Sequence, residues 1–143
     1  MADVMVAILQ FPNDPTNNRV AHQMFIATQT VNTIDLYSIS SILGKEKRVY
    51  GAHKDDYVTI IPPEDTMNGF RVPSFIDCTK MYQVSFSSAM NLSALTHRSL
   101  TPELNQRIKT KIAEKKADGR HVIYTISEIE FKSWNPRIFK TQI

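Results

Sequence analysis

The chain has 143 residues, 42% of them hydrophobic and 22% charged, which is enough to bury one core without covalent staples. A single cysteine, Cys78, excludes an internal disulfide and a Cys-rich zinc site, and points to a reducing, cytoplasmic setting. The net charge of +3 is uneven: residues 101–143 hold nine Lys/Arg and five Asp/Glu, whereas residues 1–100 hold eight and nine. A basic final third permits contact with nucleic acid or an acidic partner, and it equally fits a solvated helix face.

The opening "MADVMVAILQF" has no basic leader and only a short apolar run, so neither a signal peptide nor a membrane span is expected. Within it, "DVMVAILQF" (3–11) has the size of a buried strand and stops at Pro12. "PNDPTNN" (12–18) is turn chemistry and is expected as an exposed loop. "AHQMFIAT" (21–28) and "TIDLYSIS" (33–40) read as the next strands, parted by a polar turn at Asn32. Residues 41–56 read as a long charged loop holding a short strand at Arg48–Tyr50. "YVTIIP" (57–62) is β-branched and ends at Pro62-Pro63. In "NGFRVPSFIDCTKMYQV" (68–84) a glycine turn precedes two strand segments. Tyr82, Val84 and Phe86 alternate with Gln83 and Ser85, the period of a half-buried strand.

One helix is expected over 102–117. Thr101 can cap it, Pro102 suits its first position and Gly119 its stop. Leu104, Ile108 and Ile112 form its apolar stripe, and Arg107, Lys109, Lys111, Lys115 and Lys116 its solvated surface. Beyond it, 121–131 reads as a strand and "KSWNPRIFKTQI" as a tail that either packs through Trp134 or binds something. The fold class expected is mainly β (α+β): a barrel of about five to seven strands in one domain, residues 1–143, with 120–143 as a C-terminal extension.

The order of these pieces resembles the MazF/PemK (Kid-like) family of toxin endoribonucleases. "DVMVAILQFPND" is similar to the family's first strand, and "NRVAHQMFIATQTVN" to its Arg-Pro motif and following strand. "LYSISS" stands where the family has a strand ending in Thr or Ser. "NGFRVPSFIDCTKMYQV" resembles its glycine turn and later strands, and "SLTPELNQRIKTKI" its C-terminal helix. The likeness covers roughly residues 3–116 and implies a small SH3-like barrel, a two-fold homodimer, and metal-independent cleavage of single-stranded RNA. It also implies a cognate antitoxin protein as inhibitor, no cofactor and no membrane partner.

In such cleavage the substrate's 2′-hydroxyl is the nucleophile. The protein supplies a base, a cation at the developing phosphorane and an acid for the leaving oxygen. The family's catalytic arginine corresponds to Arg19 if the loop shifts by two residues. A gapless alignment puts Ala21 there instead, with His22 in place of the proline. The family's Thr/Ser corresponds to Ser40 or Ser41. The Arg-Cys-Asp string of the PemK branch reads Asp77-Cys78-Thr79 here, an acid in place of the base.

The implied catalytic set is therefore Arg19, His22, Ser40, Ser41 and Asp77, with Lys45, Lys47, Arg48, His53 and Lys80 as RNA contacts. Asp77 could orient a histidine or pair with Lys80 at the surface; Cys78, between apolar neighbours, reads as a core residue. The four histidines have no metal-ligand spacing. A second reading keeps the barrel but drops cleavage, leaving a module that binds RNA or a partner protein.

Overall fold

A computed structural model describes residues 3–14, 20–62, 69–86, 91–95 and 97–138. The fold is mainly antiparallel sheet with a few helices. Its strands are β1 (Val4–Leu9), β2 (Val20–Gln29), β3 (Thr33–Ser41), β4 (Tyr57–Ile60), β5 (Ser74–Asp77), β6 (Lys80–Ser85), β7 (His97–Arg98) and β8 (Val122–Ile126). Among the described residues three α-helices join them: α1 (Glu46–Val49), α2 (Pro102–Ala117) and α3 (Glu128–Trp134).

The strands run β4-β5-β3-β2-β1-β7, and β6 lies between β3 and β8. β3 organises this sheet. One edge pairs with β2, while the other is shared: Ile39–Ser41 pair with β5, and Thr33–Leu36 with β6. β5 and β6 are therefore successive stretches along one edge, separated by the turn at Cys78–Thr79. Asp77 makes that turn, because its Oδ1 accepts from both the backbone N–H and the hydroxyl of Thr79, at 3.0 and 2.6 Å. Among the described residues β4, β7 and β8 each have one strand neighbour, so the sheet has free margins.

Both faces are covered, as the period of two requires. Val4, Phe25, Tyr37, Ile39, Ile76 and Met81 face one side, where Leu104, Ile108 and Ile112 of α2 complete a core. Met5, Ala7, Leu9, Met24, Leu36, Tyr82 and Val84 face the other, under Phe131, Trp134 and Ile138. The segment after residue 120 therefore contributes to the second core. Trp134 packs there, as one of the two readings of the tail expects, and residues 139–143 of that tail lie outside the described residues.

The α2 helix has the bounds read from the sequence, and Thr101 accepts from the Leu104 N–H. Three local expectations fail. Arg48–Tyr50 is not a strand, since Arg48 and Val49 belong to α1. The strand expected over 121–131 ends at Ile126, because Ser127 caps α3: its hydroxyl accepts from the Glu130 N–H and donates to the Glu130 carboxylate. Ser-x-x-Glu is a capping box, a helix start written in the sequence. Lys115 is not on the solvated surface of α2; it is 3% exposed and reaches Asp55 at 2.7 Å and Asp56 at 3.6 Å. At Gly69 the backbone has φ +78°, and a Cβ would meet the Arg98 guanidinium at 2.9 Å, so the turn needs glycine. No helix among the described residues is long and apolar enough to cross a membrane.

Candidate functional site

The face covered by α3 is apolar only over part of its length. Following β2 from Met24 to His22, β3 from Leu36 to Ser38 and Ser40, and β6 from Tyr82 to Lys80, each two-residue step keeps the side and exchanges an apolar group for a polar one. Gln23 pairs with Ile39, so the next positions, His22 and Ser40, stand opposite at the end of that ladder. Ser40 in turn pairs with Phe75 on β5, two residues before Asp77. The polar end of the face is a cleft of about 440 Å³, lined by His22, Ser38, Ser40, Lys45, Arg48, Phe75, Asp77, Lys80 and Tyr82 from the sheet and α1 region. Phe11, Asn13 and Asp14, from the loop after β1, complete its rim.

Asp77 is the anchor of the cleft. Its carboxylate is 4% exposed, and Oδ2 accepts from Arg48 Nη2 at 3.0 Å and from Lys80 Nζ at 2.9 Å. With Oδ1 held by Thr79, both oxygens are occupied, and none of the four donors is a histidine. Of the two sequence readings, the pair with Lys80 forms, though with a buried carboxylate and with Arg48 as a second partner, and the histidine reading does not hold. Asp77 is buried, and it fixes two cations side by side rather than orienting an imidazole. The acid that stands where an arginine was expected therefore leaves the cleft cationic: Lys45, Arg48 and Lys80 face two carboxylates, Asp14 and Asp77. Arg48 is also held by the Tyr57 hydroxyl at 3.1 Å and lies over the Tyr57 and Phe75 rings. Burial works against its charge, but Tyr57 and Asp77 together push its pKa up.

His22 is in the opposite condition. Burial lowers its pKa, Asp14 pulls it back up and Lys45 lowers it again, with a net fall below the ordinary 6.5. At neutral pH the imidazole is uncharged and can accept a proton. Its ring lies 4.4 Å from Phe11, which stacks on Tyr82, which stacks on Tyr124. The Tyr82 hydroxyl donates to Asn13 Oδ1 at 3.0 Å and so fastens the rim loop to β6. Burial pushes the Tyr82 phenol up to about 12, which keeps it a neutral donor.

Six of the residues named from the sequence thus share one cleft: His22, Ser40, Asp77, Lys45, Arg48 and Lys80. Arg19 lies outside the described residues. Ser41 is elsewhere; it is exposed, and its hydroxyl accepts from the Leu43 N–H at 3.2 Å, because the next residue of a strand points to the other face. Lys47 is exposed on α1 and does not line the cleft. His53 is also away from it, beside Arg120 at 3.4 Å. Cys78 is fully buried, and burial raises its thiol to about 12, which makes it inert.

Sequence reasoning missed Ser38, Tyr82, Phe75 and the rim residues Phe11, Asn13 and Asp14. Ser38 and Tyr82 stand two residues from Ser40 and Lys80 on the same strands, so alternation would have found them. The rim depends on a tyrosine–asparagine contact 69 residues apart in sequence. Among the described residues no group of three or more His, Cys, Asp or Glu is arranged to hold a metal ion. Chemically the cleft combines a neutral imidazole, two serine hydroxyls and three cations, a set suited to a phosphodiester. Compared with protein-family models and with curated proteins, the chain has no match.

Proposed function

We propose that the chain is a metal-independent endoribonuclease of the MazF/PemK kind, built on the SH3-like barrel that the resemblance implies. The observation that carries this reading is the placing of neutral His22 and Ser40 in one cleft with Lys45, Arg48 and Lys80. His22 accepts the 2′-hydroxyl proton as O2′ attacks phosphorus. The P–O5′ bond breaks, leaving a 2′,3′-cyclic phosphate and a 5′-hydroxyl, with a cleft ammonium donating to the departing oxygen. Arg48 and Lys80, held in fixed positions by Asp77, stabilise the charge that grows on the phosphorane oxygens. A cationic cleft of this kind is also what an acidic segment of an inhibitory antitoxin would fill.

The test is cleavage of a mixed single-stranded RNA pool in EDTA. Cutting is expected, with 2′,3′-cyclic phosphate ends, and it stops when the cut site carries 2′-deoxyribose. His22→Ala lowers the rate by about 10²–10⁴, the usual contribution of a positioned base. An RNA pool left intact by the wild-type protein rejects cleavage; binding of that intact RNA would assign the cleft to a binding module instead.

A further inference from the structure

The floor of the cleft does not stop at β6. In the parallel pairing of β6 with β8, Lys80 stands opposite Val122 and Tyr82 opposite Tyr124, and residues opposite one another in a ladder share a face. Lys80 and Tyr82 line the cleft, so Val122 and Tyr124 carry its floor onto the next strand. The rings follow the same line. Phe11 stacks on Tyr82 at 4.4 Å with 29° between the planes, and Tyr82 on Tyr124 at 5.5 Å with 21°. His22 touches the inner end of this row, 4.4 Å from Phe11. The row therefore runs from the imidazole to the margin of the sheet. Among the described residues no strand and no ring lies beyond Tyr124. Tyr82, inside the row, is 3% exposed, whereas Tyr124 is only partly buried and Val122 beside it is 47% exposed.

We infer that Tyr124 is a nucleobase platform: the base of a nucleotide next to the scissile phosphate stacks on the outer face of its ring, against the Val122 side chain. An aromatic row that ends at a sheet margin presents one flat apolar surface, and a base covers such a surface without any hydrogen-bond pattern. The neighbouring charge favours a nucleic acid over other flat groups. One strand spacing across and two residues along put the Cα atoms of Lys80 and Tyr124 about 8 Å apart. A phosphate held by the Lys80 ammonium therefore leaves an adjoining base within reach of the ring. Because every base has a π-face, the platform adds affinity and register rather than a sequence motif. Val122 and Tyr124 lie beyond residues 3–116, so the family likeness assigns them no role. The inference rests on the proposed reading of the cleft as an RNA site.

The test is fluorescence anisotropy with a short 2′-O-methyl copy of the tightest-bound RNA from the mixed pool. That copy lacks the nucleophile, so binding is read whether or not the protein cuts. An abasic nucleotide is moved through it position by position. For the wild-type protein one abasic position is expected to raise Kd by roughly 5–150-fold, the usual worth of a base stacked on an aromatic side chain. Tyr124→Ala should weaken binding of the intact copy by a similar factor and be indifferent to that abasic position, a coupling that a merely structural role would not produce. Tyr124→Phe keeps the flat ring and should bind as the wild type does. Should Tyr124→Ala fail to fold by circular dichroism, Tyr124→Leu, apolar but not flat, takes its place. Wild-type binding with no sensitive abasic position, or a Tyr124→Ala protein that binds as tightly as the wild type, overturns the platform and leaves the cleavage reading standing. Tyr124-dependent binding without cutting of the ordinary RNA pool keeps the platform and rejects cleavage. A wild-type protein that binds no RNA overturns both.

Discussion

Replacing Asp77 by Asn keeps the size of the side chain and removes its charge, which separates anchoring from chemistry. Asn has one acceptor oxygen where Asp77 uses two. If that oxygen stays with Thr79, the amide hydrogens face Arg48 and Lys80, and the contacts at 3.0 and 2.9 Å are lost. Charge-assisted hydrogen bonds contribute roughly 1.5–3 kcal/mol each when enclosed. Here only the carboxylate is enclosed; Arg48 and Lys80 are 47% and 35% exposed and recover water when released. Each loss is therefore nearer the exposed-pair limit of about 1 kcal/mol, and the total is about 2 kcal/mol. For a chain of this size that corresponds to a fall in Tm of about 4–8 °C. Thermal unfolding by circular dichroism reads it directly. RNA cleavage should show KM rising more than kcat falls, because the cations lose their fixed positions. An Asp77→Asn protein that melts with the wild type would refute the buried anchor. Unchanged Tm with a collapsed kcat would instead make Asp77 a reacting group.

Other substitutions probe the surroundings. Phe11→Ala opens His22 to water, so its pKa, followed by NMR, should rise towards the ordinary 6.5; an unchanged value would show that Phe11 does not shield it. Because His22 is depressed in the folded chain, the unfolded chain binds more protons in the window just below 6.5. Stability therefore falls as pH drops through that window, and His22→Gln should flatten denaturant midpoints across it, leaving a contribution of the same sign from His121. Ser127→Ala removes the cap of α3 and should cost about 1 kcal/mol in a urea titration; no loss would mean that packing of Phe131 and Trp134 alone holds the helix. Arg120→Ala and Asp56→Asn should each lower Tm but combine less than additively, since their side chains hydrogen-bond to each other.

The regular parts of the fold were legible because their signals are local. Leu104, Ile108 and Ile112, four residues apart between a threonine cap and a glycine stop, give α2 its bounds. The alternation from Tyr82 to Phe86 gives β6 its buried face. Where a short apolar run carries both periods, local reasoning failed. "HVIYTISEIEF" is β-branched at its start, and an apolar pattern continues through Ile129 and Phe131, so the run reads as one long strand. Ser127 decides otherwise, because its hydroxyl satisfies a helix N–H that an extended chain would not have to satisfy. Lys115 fails for a different reason. A lysine beside Lys116 on a basic helix looks solvated unless Asp55 and Asp56, some sixty residues away in sequence, are known to face it.

The cleft divides along the same line. Its floor follows from strand arithmetic: once β2, β3, β5 and β6 are neighbours, alternation carries His22, Ser40, Asp77 and Lys80 to one side and sends Ser41 to the other. What alternation cannot supply is the sign of the field that these residues produce. An aspartate in the place of an arginine reads as a reversal of charge facing a phosphate, and on an exposed surface it would be one. Burial changes the outcome, because a carboxylate that is 4% exposed must be matched by donors. The matching groups here are two cations that remain open to solvent. Asp77 therefore spends its charge inward and leaves theirs directed outward. The acid is the reason that Arg48 and Lys80 stand together at the mouth of the cleft.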